Sequence, residues 1–194
     1  MIKINGKAPE FSSDAYFGGS DEVRKINLSD YRGKWVILFF YPADFTFVCP
    51  TELGKLADSY EKFKSLNAEV ISVSTDTKFV HKAWHDHSDT IRKITFPMLA
   101  DPTRRVCSDY ETLITDDGDP DSGLSLRATF LIDPEGVVKA FEFHNNDIGR
   151  STAELLRKLQ AAKFAEENGG EVCPMDWTPG ADTLKPGLDL VGKI

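Results

Sequence analysis

Cysteine is scarce in this chain, and its thiols are widely spaced. The 194 residues contain cysteine only as Cys49, Cys107 and Cys173, and no two of these form a Cys-x-x-Cys pair. Three dispersed cysteines do not make a structural disulfide framework, and the missing pair leaves a zinc knuckle and a thioredoxin-type redox motif unsupported. We therefore expect no metal and no cofactor, and we expect any disulfide to be transient and catalytic.

The sequence also shows no excess of basic charge, no long apolar run and no pattern of a secretory leader. The 31 acidic residues exceed the 23 basic ones and give a net charge of −8, whereas a sequence-independent nucleic-acid surface needs a basic excess. No stretch approaches the ~20 apolar residues that span a bilayer, and residues 1–7 contain no apolar signal segment. The sequence therefore predicts a soluble, cytoplasmic protein that binds neither nucleic acid nor membrane.

Strand and helix patterns alternate along most of the chain. The apolar run at residues 35–41 predicts a central strand that is buried on both faces. Apolar spacing predicts further strands at 70–74, 96–101, 128–132 and 137–143 and helices at 51–66, 78–90, 103–110 and 151–168. This order predicts an α/β fold, with a mixed central β-sheet flanked by helices.

Breakers of regular structure set the end of the chain apart. Gly169-Gly170 stops the last predicted helix, because glycine readily adopts the left-handed conformation of a helix C-terminus. Further breakers follow at Pro174, Pro179-Gly180 and Pro186-Gly187. We predict one domain over residues 1–168 and an extended C-terminal arm over residues 169–194, which would pack on a partner subunit.

Cys49 follows the central strand after a short loop and stands where the next helix begins. The free N–H groups and the positive end of the helix dipole favour a thiolate over a thiol at that place. Thr46 can bring its hydroxyl beside the sulfur or an incoming oxygen, while Pro42 and Pro50 stiffen the loop and screen it from water. The same residues fit a second interpretation, in which Cys49 is a small buried apolar side chain at a strand–helix junction.

A complete motif around this cysteine favours the first interpretation. Pro42-x-x-x-Thr46-x-x-Cys49 resembles the signature of the peroxiredoxins, and Glu171-Val172-Cys173-Pro174 resembles the resolving-cysteine motif of their typical two-cysteine subgroup. Residues 188–194 are similar to the tail of the bacterial alkyl hydroperoxide reductases of this family. The resemblance covers nearly the whole chain and implies a thioredoxin-like fold and a thiol-dependent peroxidase that serves in antioxidant defence.

The resemblance also implies a role for each residue of the site. Cys49 would be the peroxidatic nucleophile, Thr46 would orient the peroxide, and Pro42 would screen the oxidised sulfur. Arg127 would be the pocket guanidinium, whose charge and fork geometry suit a thiolate and a departing oxygen. Glu52, one turn into the helix, either holds Arg127 in place or is merely a favourable acid near a helix N-terminus, and the sequence leaves both possibilities open.

By the same resemblance, Cys173 would resolve the oxidised Cys49 of a neighbouring subunit through an intersubunit disulfide. The subgroup implies an antiparallel, edge-to-edge homodimer, for which residues 137–143 are the candidate edge, and a ring of five dimers in which residues 79–81 contact the next dimer. The electron donor would be a flavoprotein disulfide reductase, thioredoxin or another dithiol protein. The sequence does not show which of these donors is used. It also does not show whether hydrogen peroxide or organic hydroperoxides are the preferred substrates.

Five further residues have simpler interpretations. Cys107 matches no motif, so we expect a half-buried helix cysteine without a redox role. His81 and His85 have the spacing of a metal pair, but no His-Glu-x-x-His pattern accompanies them, which favours a solvated helix face. Trp84 is expected to pack in the interior, and Trp177 to anchor the arm near the resolving cysteine.

Two other functions compete with peroxide reduction. A general thiol–disulfide oxidoreductase on the same fold would need the Cys-x-x-Cys pair that is missing, and insulin reduction compared with peroxide loss would separate the two activities. A non-enzymatic holdase would use its cysteines only to set assembly. The discriminating observation is whether Cys49→Ser abolishes peroxide protection while leaving the suppression of aggregation intact.

Overall fold

Seven strands and four α-helices make up a computed structural model that describes residues 1–193. In chain order they are β1 (Ser12–Phe17), β2 (Glu22–Asn27), β3 (Trp35–Phe40), α1 (Cys49–Ser65), β4 (Ala68–Ser74), α2 (Lys78–His87), β5 (Met98–Ala100), α3 (Arg105–Asp109), β6 (Arg127–Ile132), β7 (Val138–His144) and α4 (Thr152–Glu167). Three 3₁₀ helices cover Leu28–Tyr31, Ile91–Lys93 and Leu188–Leu190. Within residues 1–193, no helix has the length and apolarity needed to cross a bilayer.

The strands form one mixed sheet in the order β2-β1-β5-β4-β3-β6-β7. β3, β4 and β5 run parallel, while every other neighbouring pair is antiparallel. All six residues of β3 are buried, which confirms the strand predicted to be covered on both faces. α1 packs against β4, and α2 packs against β1 and β5. The expected α/β class and thioredoxin-like fold are confirmed.

Alternation along β3 divides its side chains between the two faces of the sheet. Val36, Leu38 and Phe40 belong to one core cluster together with Phe130 of β6. The intervening side chains point to the opposite face, because successive strand residues alternate in direction. The central strand is thus buried on both faces, and the chain leaves its end at Phe40 to reach Cys49.

The N-terminal hairpin formed by β1 and β2 was not predicted from the sequence. β1 has a mixed burial pattern and β2 is mostly exposed, so neither strand shows a clean apolar alternation. β1 is positioned in the sheet by antiparallel pairing with β5, where Ala15 lies opposite Leu99. Gly18 after β1 is required by close packing, because a Cβ there would lie 2.2 Å from Nε2 of His85.

Contacts divide the chain into two compact units, residues 1–150 and the segment from Ser151 onward. In the second unit the side chain of Ser151 caps α4 by accepting the N–H of Glu154. Trp177 is buried, and its ring centroid lies 4.9 Å from that of Phe164 on α4. Its Nε1–H donates to the carbonyl of Ala181. The predicted anchoring role of Trp177 is confirmed, whereas a domain limit at residue 168 stays a prediction.

Candidate active site

A strand end, a loop and a helix start together position Cys49. The chain leaves β3 at Phe40 and passes through residues 42–48, hereafter the Cys49 loop, before α1 begins at Cys49 itself. Its thiol is free and fully buried. The N–H groups of Thr51 and Glu52 both bond the carbonyl of Val48, the residue that caps the helix. The sulfur therefore lies at the positive end of a 17-residue helix, where negative charge is favoured.

Arg127 reaches this sulfur from the neighbouring strand. It is the first residue of β6, and the next residue, Ala128, pairs with Phe40 at the end of β3. The Nη1 group of Arg127 donates to Sγ of Cys49 at 3.2 Å and to Oε2 of Glu52 at 2.8 Å. A guanidinium is permanently charged, so this contact places a fixed positive charge beside the sulfur.

Glu52 joins Arg127 to a second arginine, Arg150. Its two carboxylate oxygens accept from Nε and Nη2 of Arg150 at 2.9 and 3.0 Å, and Oε1 also accepts the backbone N–H of Arg150 at 2.8 Å. Although burial raises the pKa of Glu52, the hydrogen bonds and charge of Arg150 and the charge of Arg127 hold that pKa below its ordinary value. Of the two possibilities left open for Glu52, the structure shows the first, in which Glu52 bonds Arg127.

Sequence reasoning missed Arg150. Its guanidinium lies over the Phe39 ring, 3.3 Å from the ring centroid, and donates to the carbonyl of Ala128 and the hydroxyl of Thr129. One signal was available, because Arg150 directly precedes the cap of α4, where the helix dipole disfavours a cation. A basic residue at that place indicates a partner elsewhere in the fold, but the sequence does not say which one.

The remaining predicted residues of the pocket lie in or beside the Cys49 loop. Pro42 is buried directly after Tyr41. The Thr46 hydroxyl donates to the carbonyl of Ala43 at 2.8 Å, which leaves the lone pairs of its oxygen able to accept a hydrogen bond from a hydroperoxide. The structure thus brings Arg127 into direct contact with both Cys49 and Glu52.

The prediction that His81 and His85 form a solvated face is wrong, since both side chains are buried. Nδ1 of His81 lies 2.7 Å from Oδ2 of Asp44, a residue of the Cys49 loop, and Nε2 lies 3.3 Å from the carbonyl of Leu99. The Tyr41 hydroxyl donates to the other oxygen of Asp44 at 2.7 Å. Burial lowers the pKa of His81, but the hydrogen bond and charge of Asp44 outweigh it and raise that pKa above 6.5.

Cys173 lies in the second unit. Its thiol is free and partly exposed, and Sγ lies 3.7 Å from the carbonyl of Ala161 on α4. Partial burial raises the pKa of this thiol, although the charge of Arg157 lowers it. The preceding residue, Val172, forms a two-way backbone bridge with Leu184, so the segment that contains the cysteine folds back along the tail.

Cys107 is more deeply placed than the half-buried position expected for it. It lies in α3 with no exposed surface, and its backbone N–H donates to Asp101. Burial, with the nearby charge of Asp101, raises the pKa of the Cys107 thiol to about 12. The thiolate, which is the reactive form, is therefore almost absent at neutral pH.

We expect Cys107 to resist iodoacetamide in the native protein at about pH 8 and to react only after unfolding, because its thiolate is both scarce and enclosed. Mass spectrometry of the peptides from native and denatured samples measures this, with Cys49 and Cys173 as internal comparisons. Labelling of native Cys107 at the rate seen in the denatured chain would contradict the expectation.

Comparison with known sequences agrees with this chemistry. The sequence model of the AhpC/TSA family matches residues 4–141, and that of the C-terminal domain of 1-Cys peroxiredoxin matches residues 161–191. Alkyl hydroperoxide reductase C of Staphylococcus aureus is 48% identical over 194 residues and covers 100% of both chains.

Solved structures of the same family share the fold. The reduced 2-Cys peroxiredoxin of Plasmodium vivax superposes with a TM-score of 0.89 at 36% identity, covering 97% of this chain and 96% of its own. AhpC of Enterococcus faecalis superposes with a TM-score of 0.82 at 47% identity, covering 90% of this chain and 100% of its own. With a buried cysteine at a helix start, an arginine on its sulfur and relatives that match along the full length, the chain belongs to the AhpC/TSA family and is a peroxiredoxin, a thiol peroxidase.

Proposed function

We propose that this enzyme reduces hydrogen peroxide and organic hydroperoxides with Cys49 as its nucleophile. The name of the Staphylococcus aureus relative, alkyl hydroperoxide reductase C, supports organic hydroperoxides as substrates. The observation that carries the proposal is the 3.2 Å contact between Nη1 of Arg127 and Sγ of Cys49 at the first residue of α1. It combines a permanent cation with a helix dipole on a single sulfur atom.

The first chemical step transfers one oxygen atom to the sulfur. The Cys49 thiolate attacks the nearer peroxide oxygen, the O–O bond breaks, and the leaving alkoxide or hydroxide takes up a proton to become alcohol or water. Cys49 is left as a sulfenic acid. Arg127 stabilises the charge that moves from sulfur to the leaving oxygen, Thr46 orients the peroxide through its hydroxyl oxygen, and Pro42 screens the oxidised sulfur from water. Glu52 holds Arg127 in place.

The second step regenerates the enzyme through a disulfide. The thiol of Cys173 attacks the sulfenic sulfur of Cys49 in a partner chain, expels water and forms an intersubunit disulfide. The partial exposure of Cys173, in a tail segment rich in breakers, supports this role. A flavoprotein disulfide reductase or a thioredoxin-like dithiol donor then supplies two electrons and two protons to restore both thiols.

The surface of the first unit supports the proposed assembly. β7 is an edge strand of the described sheet, and Phe141 and Phe143 on it are each 40% exposed, which suits an edge-to-edge dimer. Of residues 79–81, which would contact a neighbouring dimer in a ring of five, Phe79 is an exposed large apolar side chain and supports that role, whereas His81 is buried. The division into a domain at 1–168 and an arm at 169–194 belongs to this proposal. Location in the cytoplasm stays a prediction.

We expect Cys173→Ser to consume about one equivalent of peroxide per chain and then to stop with a protein dithiol donor, because no thiol is left to resolve the sulfenic acid. Stopped-flow peroxide consumption with thioredoxin or a flavoprotein reductase measures this. Cys49→Ser should consume none, and the wild-type protein should turn over continuously. Undiminished turnover by Cys173→Ser would remove this residue from the cycle.

Non-reducing electrophoresis distinguishes a disulfide between subunits from one within a chain. Peroxide should convert the wild type to a cross-linked dimer and leave each single variant uncross-linked. A mixture of Cys49→Ser and Cys173→Ser chains, unfolded and refolded together, should regain a cross-linked dimer, because each chain contributes the cysteine that the other lacks. Oxidised wild type that runs only as a monomer would overturn the intersubunit pairing.

A further inference from the structure

Asn146 bonds Arg127 through nitrogens other than the one that contacts Cys49. It lies two residues beyond the end of β7, next to the start of β6. Its backbone carbonyl accepts Nε–H of Arg127 at 2.8 Å, and its side-chain Oδ1 accepts the backbone N–H of Arg127 at 3.2 Å. The guanidinium is held through two different nitrogens, Nε by Asn146 and Nη1 by Glu52 and the sulfur. Because the group is planar, these two points of attachment fix its orientation.

The side chain of Asn146 has a second partner, Asp121. Its Nδ2 donates to Oδ2 of Asp121 at 2.7 Å. A backbone N–H can only donate and a carboxylate can only accept, so the amide is fixed with oxygen toward Arg127 and nitrogen toward Asp121. Aspartate at this position would set two carboxylates against each other. Alanine would remove both side-chain bonds, to the Arg127 N–H and to Asp121, and would keep the backbone carbonyl that bonds Nε but without the side chain that fixes it.

Asp121 belongs to the loop of residues 114–124, which is closed by its own hydrogen bonds. The N–H of Ile114 bonds the carbonyl of Leu124, and the N–H of Gly123 bonds the carbonyl of Ile114. The N–H of Asp121 donates to the side chain of Asp119. The position of the Asp121 carboxylate is therefore determined by the 114–124 loop and not by the Cys49 loop.

We propose that Asn146 is a positioning residue for the peroxide reaction, which Asp121 clamps so that the Arg127 guanidinium stays directed at the Cys49 sulfur. This inference rests on the proposed role of Cys49 and Arg127. The chain of contacts from Asp121 through Asn146 and Arg127 links the 114–124 loop to the nucleophile. The orientation of the guanidinium, and with it the reactivity of the sulfur, depends on two residues that do not contact the sulfur.

Asn146→Ala and Asp121→Ala should each slow the reaction of Cys49 with peroxide by about tenfold to a hundredfold, because small displacements of a catalytic group carry a cost of this order. Both should also slow the alkylation of Cys49 at neutral pH, since the nearby cation is less well placed. Asp121→Asn keeps an acceptor oxygen for Asn146 and should stay within about threefold of the wild type. Stopped-flow kinetics and alkylation rates give both quantities.

Matched controls separate positioning from general damage. Asn145→Ala changes the adjacent exposed asparagine, which caps only its own turn through Asp147, and Asp117→Ala removes an exposed charge from the same loop as Asp121. Both controls should react like the wild type. Wild-type rates of peroxide reaction and of alkylation in both Asn146→Ala and Asp121→Ala would overturn the inference, whereas a wild-type Cys49 that does not react with peroxide would instead overturn the proposed function.

A double-mutant cycle tests whether Asn146 acts through Arg127. Arg127→Ala alone should slow the reaction strongly, and adding Asn146→Ala should then slow it by less than about twofold more, because the guanidinium to be positioned is gone. An undiminished effect of Asn146→Ala in the Arg127→Ala background would overturn the inference. Should Asn146→Ala fail to fold, Asp121→Ala takes its place in the same cycle.

Discussion

Replacing Glu52 with alanine is expected to lower the free energy of unfolding by about 3–5 kcal/mol, the usual cost of removing one member of a buried ion pair. Glu52 is 4% exposed and is the acid that bonds both Arg127 and Arg150, whose side chains are buried beside it. Without it, two neighbouring guanidinium groups would repel each other in a region of low dielectric constant. Urea denaturation of the wild type and the variant measures the difference.

The same substitution is expected to slow peroxide reduction by about a hundredfold, because Arg127 loses the acceptor that directs Nη1 toward the sulfur. A matched control on the same helix is Glu61→Ala, which removes an exposed acid paired with Lys64 and should change stability by less than about 1 kcal/mol. Equal losses of stability in the two variants would show that the buried contacts of Glu52 with Arg127 and Arg150 stabilise the fold no more than an exposed ion pair does.

The effect of Glu52 should depend on pH in a defined direction. Its folded-state pKa lies below the ordinary 4.5, so its charge stabilises the fold above pH 4.5, and this contribution is lost as the pH falls through the depressed pKa. Glu52→Gln, which keeps the shape and removes the charge, should therefore be clearly less stable than the wild type at neutral pH. The two proteins should converge in acid, and a stability gap that widens on acidification would contradict this assignment.

His81→Ala is likewise expected to lower the free energy of unfolding by about 3–5 kcal/mol, because it leaves the Asp44 carboxylate buried without its ion-pair partner. Both ring nitrogens of His81 face acceptors, a carboxylate and a carbonyl, so the doubly protonated ring has a partner for each of its N–H groups. His87→Ala on the exposed part of the same helix is the matched control and should be nearly neutral. Similar losses in the two variants would contradict a buried ion pair.

The pH dependence of this pair should run opposite to that of Glu52. The folded-state pKa of His81 is raised above 6.5, so its contribution is complete below pH 6.5 and is lost as the pH rises through the raised pKa. The Asp44 and Asp76 carboxylates and the carbonyl of Leu99 are the groups that raise it. The stability gap between the wild type and His81→Ala should be larger at about pH 6 than at about pH 9, and denaturant titrations at both values measure it.

The His81 pair also concerns the active site, because Asp44 belongs to the Cys49 loop. The next residue, Phe45, has a φ of 55°, a left-handed conformation that is costly for a bulky side chain. Its ring lies tilted against that of Trp84 of α2, at a centroid distance of 6.0 Å. Asp44 and Phe45 thus tie the loop to α2 by one ion pair and one aromatic contact, and we expect His81→Ala to loosen the approach to Cys49 as well as the fold.

The local sequence pattern was enough to predict the strand and the helix that position Cys49. A continuous apolar run predicted β3, and helical spacing after Pro50 predicted α1, because a buried strand and an amphipathic helix leave their periods in the sequence. The β1–β2 hairpin left no such mark. Its residues are partly exposed, and their conformation depends on pairing with β5, more than seventy positions away.

Burial of polar residues was the point at which sequence reasoning failed. The spacing of His81 and His85 predicts one helix face correctly, but whether that face meets water depends on which strands α2 covers. Arg150 was missed for the same reason, because its partner Glu52 lies 98 positions earlier in the chain. A charged residue is normally exposed, so only a specific distant partner explains its burial.

The sequence by itself determined the family, the α/β fold and the candidate nucleophile, because the motif Pro42-x-x-x-Thr46-x-x-Cys49 and the periodicity around it are local. Only the tertiary structure decided which charges meet at the sulfur. Glu52, Arg127 and Arg150 come from a helix, a strand and a loop that the sheet topology brings together, and Coulomb energies depend on distances in space that a linear sequence does not contain.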